Sequence, residues 1–136
     1  FFDAPLDAAG VQALASGLRQ RGRQPGIALL NLMGGAMARV SAESSAFAHR
    51  SALFSAQYLA EYGAGTDAAT LDAAAAWAHG MRQSMATWSS GRAYQNYPDL
   101  LIPDAPAAYH GAALERLRAL KARYDPQRLF QPPQGL

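Results

Sequence analysis

Two phenols and a carboxamide stand within the six residues Tyr94-Gln95-Asn96-Tyr97-Pro98-Asp99, the second phenol directly before a proline. Pro98 biases Tyr97 towards extended backbone and marks the start of a turn. A tyrosine at such a point can send its hydroxyl into a cleft, because a turn projects side chains away from the packed face. Asn96 carries both donors and an acceptor, which suits the edge of a heteroaromatic ring presenting C=O and N–H groups. The plainer reading of the same residues is a surface turn with two half-buried tyrosines.

Other chemistries find less support. The chain has no cysteine, so disulfides and thiolate metal sites are excluded, and its 3 histidines are too scattered in sequence to suggest a zinc site. His49 invites an acid–base reading because an imidazole titrates near neutrality, and the alternative for it is a structural place. The net charge is only +2, and the arginines at 19, 21 and 23 read as the polar end of a helix, which argues against nucleic-acid binding. No apolar run is long enough to span a membrane and no signal peptide is visible, so a soluble protein, cytoplasmic or secreted, is expected. The first residues are Phe1-Phe2, which suits an internal or processed start.

The elements that must position these groups follow from period and punctuation. With 136 residues, 50% of them hydrophobic and 16% charged, the chain is a folded one with enough length for one core. Asp7 caps a helix with Val11, Leu14 and Leu18 on its apolar side and Gly22 as its stop. Gly26 to Met33 reads as a strand buried on both faces, ending at Gly34-Gly35, with Met37 to Val40 as a continuation of the pairing. Asn31 and Met33 have one parity and share a side. In the next strand, within 52–62, Ser55 and Gln57 share a face, and Phe54, Tyr58 and Tyr62 form an aromatic core face opposite. Asp67 to about Thr87 is an alanine-rich helix whose methionines read as core packing. Residues 92–97 read as a short strand entering the tyrosine motif, and 100–106 as a proline-marked loop. A last helix covers about 111–124, followed by an extended tail. The class is α+β: an antiparallel sheet with helices on one face and a C-terminal helical tail.

The end of the chain carries further landmarks in order. Tyr109-His110-Gly111 precedes Leu114-Glu115-Arg116-Leu117, then Lys121-Ala122-Arg123-Tyr124-Asp125-Pro126, and finally Pro132-Pro133-Gln134. With Tyr94-Gln95-Asn96-Tyr97 this series resembles the C-terminal tail of berberine bridge enzyme-like flavoproteins, FAD-linked oxidases and dehydrogenases of the vanillyl-alcohol-oxidase (PCMH-type) fold. Upstream, Met33-Gly34-Gly35 and Phe47-Ala48-His49-Arg50 extend the likeness. His110 and Ala113 depart from it, standing where a second aromatic and an asparagine are usual.

The resemblance implies that residues 1–90 are the C-terminal part of a substrate-binding domain and 91–136 the berberine bridge enzyme-like segment, with an N-terminal FAD-binding domain outside this chain. It further implies oxidation of an alcohol, sugar or secondary metabolite by hydride transfer to flavin N5, not achieved by this fragment alone. Tyr97 would be the base, and Asn96 and Tyr94 would meet the cofactor. Asn31, Met33, Ser55 and Gln57 would wall a small-molecule substrate pocket. A free tyrosine titrates near ~10, so a basic role requires help from neighbours or a positive field. Strict alternation would put Asn96 and Tyr97 on opposite sides, so both reach one ligand only where the backbone bends. The competing class is a non-catalytic α+β interaction or oligomerisation module, its tyrosines serving as packing anchors.

Overall fold

The computed structural model describes residues 1–23 and 25–136. Six regular elements follow one another: α1 (Ala8–Gln20), β1 (Gly26–Leu32), β2 (Phe54–Ala60), α2 (Ala68–Ser84), α3 (Ala105–His110) and α4 (Leu114–Tyr124). The fold is α+β, and the described residues form two compact units. One comprises 2–32 and 53–90; the other comprises Phe1, 33–52 and 91–136. Among the described residues no helix is long and apolar enough to cross a membrane.

The first unit is a two-stranded antiparallel sheet with two helices. Both helices start where a carboxylate can accept from free N–H groups: Asp7 Oδ1 takes Gly10 N at 2.7 Å, and Asp67 Oδ1 takes Thr70 N at 2.9 Å. The Asp67 carboxyl, which also accepts from the Thr70 hydroxyl, is held below its usual range by these bonds. The helices lock through two tryptophans. Trp77 donates Nε1–H to Gly17 O at 2.9 Å, and Trp88 donates to Asp7 Oδ1 at 3.0 Å. Met81 and Met85 are fully buried, so the methionine stripe of α2 is core.

β1 and β2 pair in the register Gly26↔Ala60 through Leu32↔Phe54. Trp77 packs over the sheet at Gly26, where a Cβ would come within 2.5 Å of its ring. Phe2 bridges to Phe54, its N–H donating to Phe54 O at 2.9 Å, and the two rings stack at 4.4 Å. The Tyr58 phenol is pushed up to about 12 by burial.

Three readings of this region need correction. β1 is not buried on both faces: Leu29, Leu30 and Leu32 are exposed, Leu32 by 82%. Its second edge has no strand partner among the described residues, and the cover by Trp77 lies at its opposite end. Met37 to Val40 does not extend the pairing. Gly34 and Gly35 take φ of 111° and 55°, which turns the chain, and Met37 N then donates back to Gly34 O. Tyr62 lies beyond the end of β2 and is 56% exposed, so it is no part of an aromatic core face.

The second unit is built on α3 and α4. The expected loop over 100–106 is partly helical, since α3 starts at Ala105 with Asp104 Oδ1 accepting from Ala107 N at 3.3 Å. Pro106 is tolerated there because the first-turn N–H groups have no helical partner to lose. Ile102, Ala105 and Tyr109 form the core, with Ala93 and Ala108 against it. Gly111, at φ 49°, kinks the chain from α3 through a single 3₁₀ turn (Gly111–Ala113) into α4. α4 is closed by Asp125, which accepts from Lys121 Nζ, Leu129 N and Phe130 N. These partners hold its carboxyl below the usual range.

Candidate functional site

Residues 92–97 do not form a strand. Tyr97 N donates to Tyr94 O at 2.9 Å, closing a turn, and Asn96 Nδ2 donates to the Tyr94 hydroxyl at 2.9 Å. The backbone bond closes a turn where a strand would need a partner, and the amide–hydroxyl bond ties two side chains across it. The turn brings Tyr94, Asn96 and Tyr97 into one patch despite their alternating parity. The Tyr94 and Tyr97 rings meet edge to face, with centroids 5.1 Å apart and planes at 84°, a favourable quadrupolar arrangement. Tyr97 keeps 51% of its surface exposed, so its phenol is open to an incoming molecule.

Behind the turn stands an aromatic stack that fixes Tyr94. Phe47 contacts Tyr94 edge to face at 6.1 Å and His49 at 5.4 Å, and His49 stacks on Phe1 at 4.1 Å. The Arg50 guanidinium lies 5.5 Å from the centre of the Phe47 ring. His49 is wholly buried, with Nε2 3.0 Å from Tyr109 O. Burial, reinforced by the positive charge of Arg92, lowers its pKa to about 4. A ring kept neutral, shut from solvent and tied to a carbonyl supports packing, in keeping with the structural alternative for it.

Ahead of the turn, Ala93 N donates to Ala108 O at 3.0 Å. After it, Asp99 is held through its backbone: its N–H donates to the Tyr109 hydroxyl at 3.0 Å, and its carbonyl accepts from Gln134 Nε2 at 2.7 Å and from Ile102 N at 3.1 Å. The Tyr109 hydroxyl in turn donates to Gln134 Oε1 at 3.0 Å. The tail therefore folds back upon the tyrosine segment instead of running out extended. Tyr109 and Gln134 were absent from the expected site residues. The stiffening pair Pro132-Pro133 was the one local hint, and it says nothing of what Gln134 meets.

The expected pocket residues divide. The register puts Asn31 opposite Ser55 and Leu29 opposite Gln57, so Asn31, Ser55 and Gln57 lie on one face of the sheet with Leu29 among them. Asn31 is exposed; Ser55 and Gln57 are half-buried. Met33 lies one residue beyond β1, in the other compact unit, so strand parity no longer places it with Asn31.

The segment that carries this turn, and the chain around it, are similar to known proteins. Residues 93–136 match the family described as "Berberine and berberine like". The FAD-linked oxidoreductase YgaK of Bacillus subtilis (strain 168) is 29% identical over 136 residues, which is 100% of this chain and 29% of that protein. The chitooligosaccharide oxidase of Gibberella zeae is 40% identical over 65 residues, covering 42% of this chain and 13% of that one. Wild-type BBE-like 1 of Physcomitrella patens superposes with a TM-score of 0.82 at 30% identity, over 96% of this chain and 27% of the other. The chain is thus similar over nearly its whole length to a berberine bridge enzyme-like protein, with the family match itself at residues 93–136. It spans less than a third of the length of these relatives.

Proposed function

We propose that the complete protein is an FAD-linked oxidoreductase that oxidises a hydroxyl-bearing small molecule, an alcohol, a sugar or another secondary metabolite, with Tyr97 as the base. The observation that carries this reading is the turn: a phenol 51% exposed, braced by a second tyrosine ring and next to a carboxamide, within the segment that matches the family. The 40% identity to a chitooligosaccharide oxidase over 65 residues favours a carbohydrate among these substrates.

Residues 1–90 are then the C-terminal part of the substrate-binding domain and 91–136 the berberine bridge enzyme-like segment. An N-terminal domain of the same protein holds most of the cofactor. The donor set at the turn suits a flavin ring, since Asn96 and Tyr94 offer an amide and a hydroxyl for polar ring edges and Tyr97 a third oxygen. FAD, when bound, supplies the hydride acceptor at flavin N5. As the phenolate, the Tyr97 oxygen would take the proton of the substrate hydroxyl while the C–H bond gives its hydride to that acceptor and the C=O bond forms. Asn96, its amide steadied by Tyr94, orients the ring edge. Asn31, Ser55 and Gln57, on one face of the sheet, offer polar groups to the substrate, and Met33 an apolar one.

Tyr97→Phe in the complete protein is the test. The change keeps the ring, so FAD content and folding stay near wild type. Rapid mixing under anaerobic conditions should show flavin reduction slowed ~10²–10⁴-fold, the range for loss of a positioned base. Tyr94→Phe, which removes the acceptor of the Asn96 amide and one polar contact to the ring edge but leaves the base, should cost no more than about 10-fold. Reduction of the Tyr97→Phe flavin at the wild-type rate would remove Tyr97 from the role of base.

A further inference from the structure

Resting on the reading of Tyr97 as the base, we propose that Tyr109 and Gln134 are positioning residues that clamp the Tyr97 turn through the backbone of Asp99. The phenol and the carboxamide close a ring of hydrogen bonds around one residue. Asp99 N donates to the Tyr109 hydroxyl at 3.0 Å, that hydroxyl donates to Gln134 Oε1 at 3.0 Å, and Gln134 Nε2 donates to Asp99 O at 2.7 Å. Each oxygen and nitrogen in the ring has a distinct role, so the donors and acceptors permit one arrangement only.

The clamp is anchored independently of the turn it holds. Tyr109 is buried in the core with Ile102 and Ala105, 3% exposed, and its carbonyl accepts from His49 Nε2 at 3.0 Å. Gln134 is set by the turn that Gly135 N makes to Pro132 O at 2.9 Å, after two prolines of fixed φ. Between the clamped residue and Tyr97 lies only Pro98, whose φ is also fixed and which restricts the residue before it. Few soft torsions therefore separate a rigid anchor from the phenol. On the other side Tyr97 N is held by Tyr94 O. The half-exposed phenol owes its place to these backbone ties together with the Tyr94 ring, because about half of its surface has no packing to hold it. A displacement of about 1 Å at a reacting group can cost ~10²-fold in rate.

The experiment uses the complete, FAD-loaded protein and reads the rate constant of anaerobic flavin reduction beside the substrate dissociation constant. Gln134→Ala and Tyr109→Phe should each slow reduction about 10- to 100-fold while substrate affinity changes less than ~3-fold. Gln134→Glu keeps the side-chain size and the acceptor for Tyr109 but loses the donor to Asp99 O, and it should be slowed too. The double variant should be no slower than the worse single one, since both break one ring. In a Tyr97→Phe background Gln134→Ala should cause no further slowing, which a stitch that merely supports folding would not produce. Gln131→Ala, whose amide serves only Arg128 O nearby, is the control at wild-type rate. If Tyr97→Phe is slow while the three clamp variants, soluble and flavin-loaded, reduce at the wild-type rate, the clamp is overturned and the base assignment stands. If Tyr97→Phe itself is fast, both fall.

Discussion

The burial of His49 makes a pH dependence of stability that can be worked through. The ring is 0% exposed, lies 4.1 Å from Phe1 in a stack, and has its Nδ1 buried without a hydrogen-bond partner among the described residues. Nε2 carries the proton, since it must donate to Tyr109 O at 3.0 Å, and charging the ring would put a second N–H where nothing accepts it. Burial and the Arg92 charge lower the pKa from 6.5 to about 4. The unfolded chain thus takes up its proton at higher pH than the folded one. Stability from this site is complete above about pH 6.5 and is lost as pH falls through about 4. At ~1.4 kcal/mol per pH unit the loss is on the order of 3 kcal/mol, a large part of a typical domain's margin. Urea unfolding followed by circular dichroism between pH 7 and 4 should show this fall in the wild type. His49→Gln, which keeps a donor for Tyr109 O and does not titrate, should be less stable at pH 7 but nearly flat down to about pH 5. The Asp67 and Asp125 carboxyls, both held low, withdraw their share only at more acidic pH, and they do so in both proteins. An unchanged slope in His49→Gln, or a His49 ring titrating by NMR at 6.5 or above, would refute the argument.

Two more outcomes follow from the geometry. Gly26→Ala should destabilise by about 1–3 kcal/mol in thermal or urea unfolding, because the added carbon meets Trp77 at 2.5 Å and that ring is tied to Gly17 O. A neutral or stabilising result would mean that Trp77 can move aside. This chain by itself should bind FAD no tighter than micromolar in isothermal titration, because the proposed N-terminal domain holds most of the cofactor's contacts; submicromolar affinity would contradict that division.

What the sequence determined alone is what neighbouring residues decide among themselves. The cap at Asp7 was legible because a carboxylate three residues before a free N–H closes its bond locally. The period of two over 54–60 and the helical period of α2 were legible for the same reason, as was the α+β class that they imply. The motif order from Tyr94 to Gln134 was enough to indicate the family. Local patterns failed where a second local bond competed or a distant contact ruled. Tyr94 to Tyr97 has the composition of a strand, yet Tyr97 N finds Tyr94 O and the chain turns. Pro106 reads as a loop residue until Asp104 caps a helix around it. β1 has the apolar run of a doubly buried strand, but burial depends on what is laid against it, and no residue of β1 specifies that. The clamp was the least legible feature. Gln134 lies 35 residues from Asp99 and 25 from Tyr109, and no pattern within one element links them. Only closure of the tertiary fold brings that amide to that carbonyl, because a hydrogen bond acts over about 3 Å whatever the separation along the chain.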